Sequence, residues 1–332
     1  MRVPKRVARR TVLAVFSMYI VMTIVFGFVA LTADPNLGQV RFNAALQYSN
    51  APPEERLERI REEVQAYRQA RNLDVPVEQR YARWLIDITT LDWGVSPSHG
   101  RPVITVIGER LPFTVAYVIP AMVVSALVGI ALGAVTALRQ GSLIDRFGTT
   151  AAYVGLGIPN FWLASVLLLE LTYKRDVLST SVSPSLGPFS PANLEAMVLP
   201  MVVLSTSLIA GQLRYARAES LEYTGEEFIR LVKAKGHSGW GIARHVLRVA
   251  AAPLLSLFFV ELLAVLIVNI YVLEFVFDLP GFGLLSYEAI QRCDLPLLLG
   301  TTMIVAFVGI AANLLQDGLY TVLDPRVGSG QD

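Results

Sequence analysis

Apolar residues fall along this chain in six long runs, separated by polar stretches of very unequal length. A helix needs about 20 mostly apolar residues to cross a hydrocarbon core roughly 30 Å thick. The runs predict membrane spans at Val12–Leu31, 112–138, 149–172, 196–213, 253–277 and 297–322. The fold class expected is therefore an all-α membrane protein with six transmembrane helices. Arg2, Lys5, Arg6, Arg9 and Arg10 precede the first run, as the basic start of a secretory leader would. Its apolar run is longer than such a leader's, and its exit TADPN lacks a small-residue cleavage pattern, so an uncleaved span is expected.

Charge orients these spans, because short cytoplasmic loops carry an excess of Lys and Arg. With residues 1–11 inside, the inner pieces hold fifteen basic residues, five before the first run, Arg139 and Arg146, seven between Arg214 and Arg248, and Arg326. The short outer loops hold three, Lys174, Arg175 and Arg292. Both the N-terminus and the C-terminal residues 324–332 are thus expected in the cytoplasm.

Residues 32–111 then lie outside the cell. In PPEERLERIREEVQAYRQARNL, Leu57, Ile60, Val64 and Tyr67 recur at three- and four-residue steps, the stripe of an amphipathic helix opened by Pro52 and Pro53. Tyr81, Trp84, Leu85, Ile86 and Ile88 form a second stripe, and LDWGVSPSHGRPV is a turn-rich stretch. A helical cap touched by a partner and a hairpin packed on the protein's own surface both fit this pattern.

The polar stretch 214–252 contains RLVKAKGHSGWGIARHVLRVAAAPLL, basic and glycine-rich in an apolar chain. Thr224 to Glu227 fits a capping box, and Phe228, Leu231 and Val232 follow on one helical face. Gly236 stands where a helix would close in a left-handed cap. Ser238 can start a second helix, with Trp240, Ile242, Val246 and Val249 on its apolar side. Two short helices at an angle result. An interfacial helix on anionic lipid competes with a protein-docking corner, and the glycines at the tip favour docking.

Composition narrows the function. Of 332 residues 54% are hydrophobic and only 17% charged, against about 25% charged in soluble domains. A net charge of +1 gives no reason to expect nucleic acid. One cysteine, Cys293, and three histidines, His99, His237 and His245, lack any metal-ligand spacing, so no metal is expected. There is no GxxxxGK[ST] loop, so the chain cannot supply a nucleotide site. No histidine lies in a predicted span, which argues against an intramembrane enzyme. No inverted repeat with broken helices is visible, which argues against a secondary transporter.

LVKAKG followed by RHVLRVAAAP resembles the EAA loop in permease subunits of binding-protein-dependent ABC importers, in the dipeptide, oligopeptide and nickel branch. GRPVITVIGERLPFT, LRQGSLIDR, GIPNF, EFVFDLPGFG, LDPRV and the basic start RRTVLAV agree, so the resemblance covers almost the whole chain as a B-type subunit. It implies a type I ABC importer permease fold in a bacterial or archaeal inner membrane, with a five-helix core over 112–323. It also implies a loop that docks on a cytoplasmic ATPase through Arg230, Leu231, Val232, Lys233, Ala234, Lys235, Gly236, His237 and Ser238. Arg230, Leu231 and Val232 stand where the naming Glu-Ala-Ala would be, so an ion pair from that glutamate is not carried over. The partners implied are a second homologous permease, two ATPase subunits that bind ATP and Mg²⁺, an extracytoplasmic solute-binding protein, and membrane lipid; this chain itself holds no cofactor. Di- or oligopeptides are the cargo implied, with nickel or another small solute as the alternative.

Polar residues inside spans are costly in lipid and face a bundle interior or a cavity. Glu261 and Asn269 of the fifth run are candidates for the wall of a translocation path or for interhelical hydrogen bonds. For Asn313, Asp317 and Glu274 a structural role is expected. Glu274 opens EFVFDLPGFG, where Pro280, Gly281 and Gly283 resemble a re-entrant or gate-supporting outer loop. Gly129 and Gly133 have the spacing of a close helix contact, and Pro120 and Pro159 are expected to kink their helices.

Overall fold

The structure, a computed structural model, describes residues 3–31, 34–70, 72–224, 236 and 239–323. Its helices are α1 (Val3–Leu31), α2 (Pro35–Gln47), α3 (Pro53–Ala70), α4 (Val77–Thr89), α5 (Val103–Leu138), α6 (Leu143–Gly157) and α7 (Asn160–Leu167). These are followed by α8 (Pro191–Ala196), α9 (Val198–Thr224), α10 (Gly239–Ala264), α11 (Ile270–Phe277), α12 (Phe282–Gln291) and α13 (Leu295–Leu323). Single π-helical turns extend α7 (Leu168–Tyr173) and join α10 to α11 (Val265–Asn269). A two-residue antiparallel pair, β1 (Val95–Ser96) and β2 (Arg101–Pro102), is the small exception to an all-α chain.

Among the described residues five stretches are long and apolar enough to cross a membrane: Arg9–Gln47, Val103–Leu138, Val198–Tyr223, Pro253–Phe277 and Leu295–Leu319. The third expected span, 149–172, is not a straight rod. It falls on α6 and α7, which meet at 90°. Pro159 is the cause, since it donates no N–H and pushes the residue before it out of the helical region. Ile158 is accordingly extended, with φ −85° and ψ 116°. The helix bearing the second run begins earlier than the run itself, at Val103. Buried Val103, Val106 and Ile107 give that first turn an apolar side, although charged Glu109 and Arg110 interrupt the hydropathy signal.

The chain forms two compact units. The larger comprises residues 1–11, 107–287 and 307–332. Its centre is α9, and small residues bring other helices close to it. A side chain on Gly133 of α5 would lie 2.6 Å from the Leu213 carbonyl and 2.7 Å from the Ala216 Cβ. Gly129, one turn earlier, is as close to Gln212, so the expected glycine contact is made with α9. Gly155 of α6 faces Ala210, while Ala216 packs on Ala250 and Leu254 of α10. Close backbone approach through small residues is how helices associate where lipid removes the hydrophobic drive.

The smaller unit comprises residues 12–106 and 288–306. Here α2 and α3 pair, with the Tyr67 hydroxyl donating to Asp34 Oδ2 at 3.0 Å. The expected stripe of α3 is realised at Val64, which is buried, whereas Leu57 stays exposed. On α4 the second stripe meets α1: the Phe26 ring lies 5.2 Å from Tyr81 and 5.5 Å from Trp84, and the Tyr81 hydroxyl is 2.6 Å from Thr23 Oγ1. Trp93 then folds back, its indole N–H donating to the Ile88 carbonyl at 3.1 Å.

Candidate functional site

The stretch between the fourth and fifth apolar runs is flanked by well-packed helix ends. Ile242 and Val246 of α10 are buried against Leu138 and Tyr223, which is the apolar side expected there. Arg244, His245 and Arg248 are exposed. Gly236 has φ +74°, the left-handed value its place in the sequence predicts, and a side chain there would meet nothing within 4 Å. What demands glycine is backbone conformation, which costs other residues about 1–2 kcal/mol. Arg230, Leu231, Val232, Lys233, Ala234, Lys235, His237 and Ser238, the capping residues 225–227 and the chain after Leu323 lie outside the described residues.

At the same end of α9, Arg217 grips Asp145 with Nε to Oδ1 at 2.6 Å and Nη2 to Oδ2 at 3.0 Å. Asp145 belongs to LRQGSLIDR, in which Ser142 caps α6 by accepting from the Asp145 amide. Asp145 also accepts from the Gly141 amide at 2.9 Å. The sequence offered the motif but no sign of its partner 72 residues away.

Deeper in the spans, polar side chains of three elements meet. Gln212 of α9 donates to Glu261 Oε2 at 2.5 Å. Asn160, the first residue of α7, donates to Asn269 Oδ1 at 2.7 Å and to Ser207 Oγ at 3.1 Å. Glu261 and Asn269 both reach the neighbourhood of α9 because of the π turn between them. At about 100° per residue a regular helix would rotate Asn269 roughly 80° away from Glu261. Five residues in the wider turn take back about that much, so the two side chains share a face. Gln212 and Asn160 escaped the sequence reading, although Asn160 stands inside GIPNF. Toward the other end of α13, Asp317 pairs with Arg10 at 2.5 Å, and Gln316 donates to Ser256 at 3.1 Å, in keeping with a structural role for Asp317.

Glu274 is fully buried at the end of α11. It accepts from the Thr114 hydroxyl at 2.6 Å, the Tyr117 hydroxyl at 3.2 Å and the Leu284 amide at 2.9 Å. Thr114 in turn accepts from the Phe282 amide at 2.8 Å. A side chain on Gly281 would overlap the Glu274 carboxylate, and one on Gly283 would lie 2.7 Å from the Ile270 carbonyl. The stretch from Asp278 to Gly283, Pro280 included, is therefore folded tightly over a carboxylate that α5 and α12 satisfy.

In the smaller unit, Asp294 precedes α13 and accepts from the Leu297 amide at 3.1 Å. Its Oδ2 also accepts from the hydroxyls of Ser96 and Ser98 at 2.5 and 2.6 Å, and from the Ser98 amide at 3.0 Å. Burial pushes this carboxyl up, but the serine hydroxyls and the two amides outweigh it and hold it below the usual range. His99 is beside it, with Nδ1 3.1 Å from Ser96 Oγ and 2.9 Å from Ser98 Oγ. This is no hydrolytic triad, since the aspartate engages the serines where a triad would have it orient the imidazole. Among the described residues no group of three or more His, Cys, Asp or Glu could hold a metal ion.

Comparison with known proteins adds to this geometry. Residues 129–329 match the family described as binding-protein-dependent transport system inner membrane component. The chain is 34% identical over 279 residues, 82% of this chain and 85% of the other, to a Brucella abortus protein named as a peptide transport system permease. It is 30% identical over 259 residues, 77% and 82% of the two chains, to the oligopeptide transport system permease protein AppB of Bacillus subtilis. It is 29% identical over 255 residues, 77% and 79%, to the metal-staphylopine import system permease protein CntB of Staphylococcus aureus.

Proposed function

This chain belongs to the binding-protein-dependent transport system inner membrane components, as a multi-pass permease subunit that is not itself an enzyme, and on that premise we propose that it imports di- or oligopeptides. It forms half of the translocation path of an ATP-driven ABC importer and pairs with a second homologous permease. ATP and Mg²⁺ are bound by two cytoplasmic ATPase subunits, and an extracytoplasmic solute-binding protein selects and delivers the cargo. Both termini and the loop 214–252 face the cytoplasm, and residues 32–111 face the binding protein.

The observation that carries the coupling is Gly236 at φ +74° between α9 and α10. The short helix that the sequence predicts before Gly236 would, rooted in two spans, be a stiff element, and stiffness is needed to pass the movement of a soluble ATPase to the membrane. The docking residues proposed are Arg230, Leu231, Val232, Lys233, Ala234, Lys235, Gly236, His237 and Ser238. Glu261 and Asn269, aligned on one face of the fifth span, are proposed for the path, and Glu274, Pro280, Gly281 and Gly283 for the support of the outer gate. Peptide as cargo is supported by the names of the Brucella and Bacillus proteins. CntB, named for metal-staphylopine import, supports a metal chelate as the second reading.

The test is uptake into vesicles that contain this chain with its partner permease, ATPases and binding protein. Labelled tripeptide should enter only with ATP, and a labelled nickel chelate should not compete. Gly236→Val should keep membrane insertion and ATP hydrolysis but lose uptake. Uptake without the ATPases would overturn the reading in favour of a secondary transporter.

A further inference from the structure

The smaller unit contains a cavity of about 360 Å³, within the range of ligand pockets. Two indoles line it. Trp93 is 7% exposed and fixed by its hydrogen bond to Ile88, and Trp84 is held by its contact with Phe26. Three aspartates, Asp34, Asp87 and Asp92, share the lining, and the remaining wall is apolar or glycine, including Leu299 of α13. Among the described residues no lysine, arginine or histidine lines it.

The carboxylates differ in how they are engaged. Asp34 is committed, accepting from Tyr67 and from the Asn36 amide. Asp87 and Asp92 make no ion pair and no side-chain hydrogen bond among the described residues. A cavity with aromatic walls attracts a cation to the ring faces, and one-sided charge makes that preference specific. An anion would meet three like charges, and a wholly apolar ligand would strip water from Asp87 and Asp92 without pairing them.

We propose that this cavity binds a primary ammonium or guanidinium group carried on a short apolar body, seated between Trp84 and Trp93 and paired with Asp87 and Asp92. A cargo peptide's free amino terminus and a basic side chain on the binding protein share this chemistry. The choice of these two probes rests on the import reading above; the site itself does not.

The experiment uses tryptophan emission of the assembled transporter in lipid nanodiscs. Trp162→Phe and Trp240→Phe leave Trp84 and Trp93 as this chain's only reporters. Trialanine amide, with a free amino group, is titrated beside its N-acetyl derivative, and the cargo-free binding protein forms a separate arm. A saturable emission change with the free amine, absent with the acetylated peptide, is expected. Asp87→Asn with Asp92→Asn should weaken it at least tenfold, while Asp87→Glu with Asp92→Glu should retain it. If only the binding protein gives the change, and the asparagine pair abolishes it, the cation comes from that partner and the site stands. Equal responses to both peptides, no loss in the asparagine pair, or silence toward both probes would overturn the proposal. ATP-driven uptake measured on the same preparations keeps the two readings apart, because loss of import with binding intact condemns only the import reading, and the converse only the cavity.

Discussion

Arg217 and Asp145 hold each other in a two-point contact between α9 and the first turn of α6, with Asp145 almost wholly buried and Arg217 about a quarter exposed. Planar fork geometry makes such a pair directional, and removing one partner leaves the other charge desolvated and alone. Because Arg217 keeps some solvent, Arg217→Ala should cost about 2–3 kcal/mol, below the full penalty of a deeply buried pair. Thermal unfolding in detergent reads this. A double-mutant cycle with Asp145→Ala should show coupling of at least about 1 kcal/mol; additive losses would mean that the contact does not bind the two helices together.

Glu274 satisfies its oxygens from α5 and from the first turn of α12, and Gly281 lies where no side chain fits. Gly281→Ala should therefore destabilise by about 2 kcal/mol or more, because the atom it would strike is a buried, hydrogen-bonded carboxylate. Thr114→Val should cost a similar amount, since it removes a donor from Glu274 and the acceptor of the Phe282 amide together. Thr114→Ser should recover most of the loss. Unfolding midpoints of the three variants check this, and a valine variant as stable as the parent would refute the relay.

Legibility in the sequence followed the range of each interaction. The apolar runs, the stripes of α3 and α4, the buried side of α10 and the left-handed Gly236 depend on residues within a turn or two, and each could be read locally. The 90° break at Pro159 was foreseen only as a kink, because the sequence names the residue that breaks a helix without saying how far its two halves swing apart. The π turn over 265–269 left no trace in periodicity, being an adjustment of five residues inside an apolar run. Asp145 with Arg217, Thr114 with Glu274, and Ser96 with Asp294 pair residues 72 to 198 positions apart. Quoted motifs held Asp145 of the first pair and both members of the second, but only the fold brings the partners together.

Asp294 gives the β1–β2 hairpin a pH dependence of known sign. Its carboxyl is held below the usual range, so the folded chain binds fewer protons than the unfolded one in that interval. The stabilisation is complete above the unfolded value of about 3.9 and is lost as pH falls through the lower folded value. Amide exchange over residues 95–102 should thus be steady from pH 7 to about pH 5, after correction for intrinsic rates, and should accelerate only in acid. Ser96→Ala with Ser98→Ala removes the two hydroxyl donors and should move the onset to higher pH. An unchanged onset would mean that the serines do not set it.

The alignment of Glu261 with Asn269 makes an unusual demand on deletion mutants. If the π turn holds one residue more than an α-helix needs, removing Leu266 converts it to regular helix and leaves Asn269 seven residues beyond Glu261. Seven residues at about 100° each bring it within roughly 20° of the same face, so the Asn160 contact survives. Adding an alanine after Leu266 turns Asn269 away instead. Pairs of cysteines at positions 160 and 269 in a Cys293→Ser background, joined by a short bis-thiol reagent, report which occurs. Cross-linking should persist in the deletion and fall sharply in the insertion, and both variants should stay folded because an intramembrane hydrogen bond is worth only about 0.6–1.7 kcal/mol. A deletion that abolishes the cross-link would show that the turn does not set the register, and the common face of Glu261 and Asn269 would need another cause.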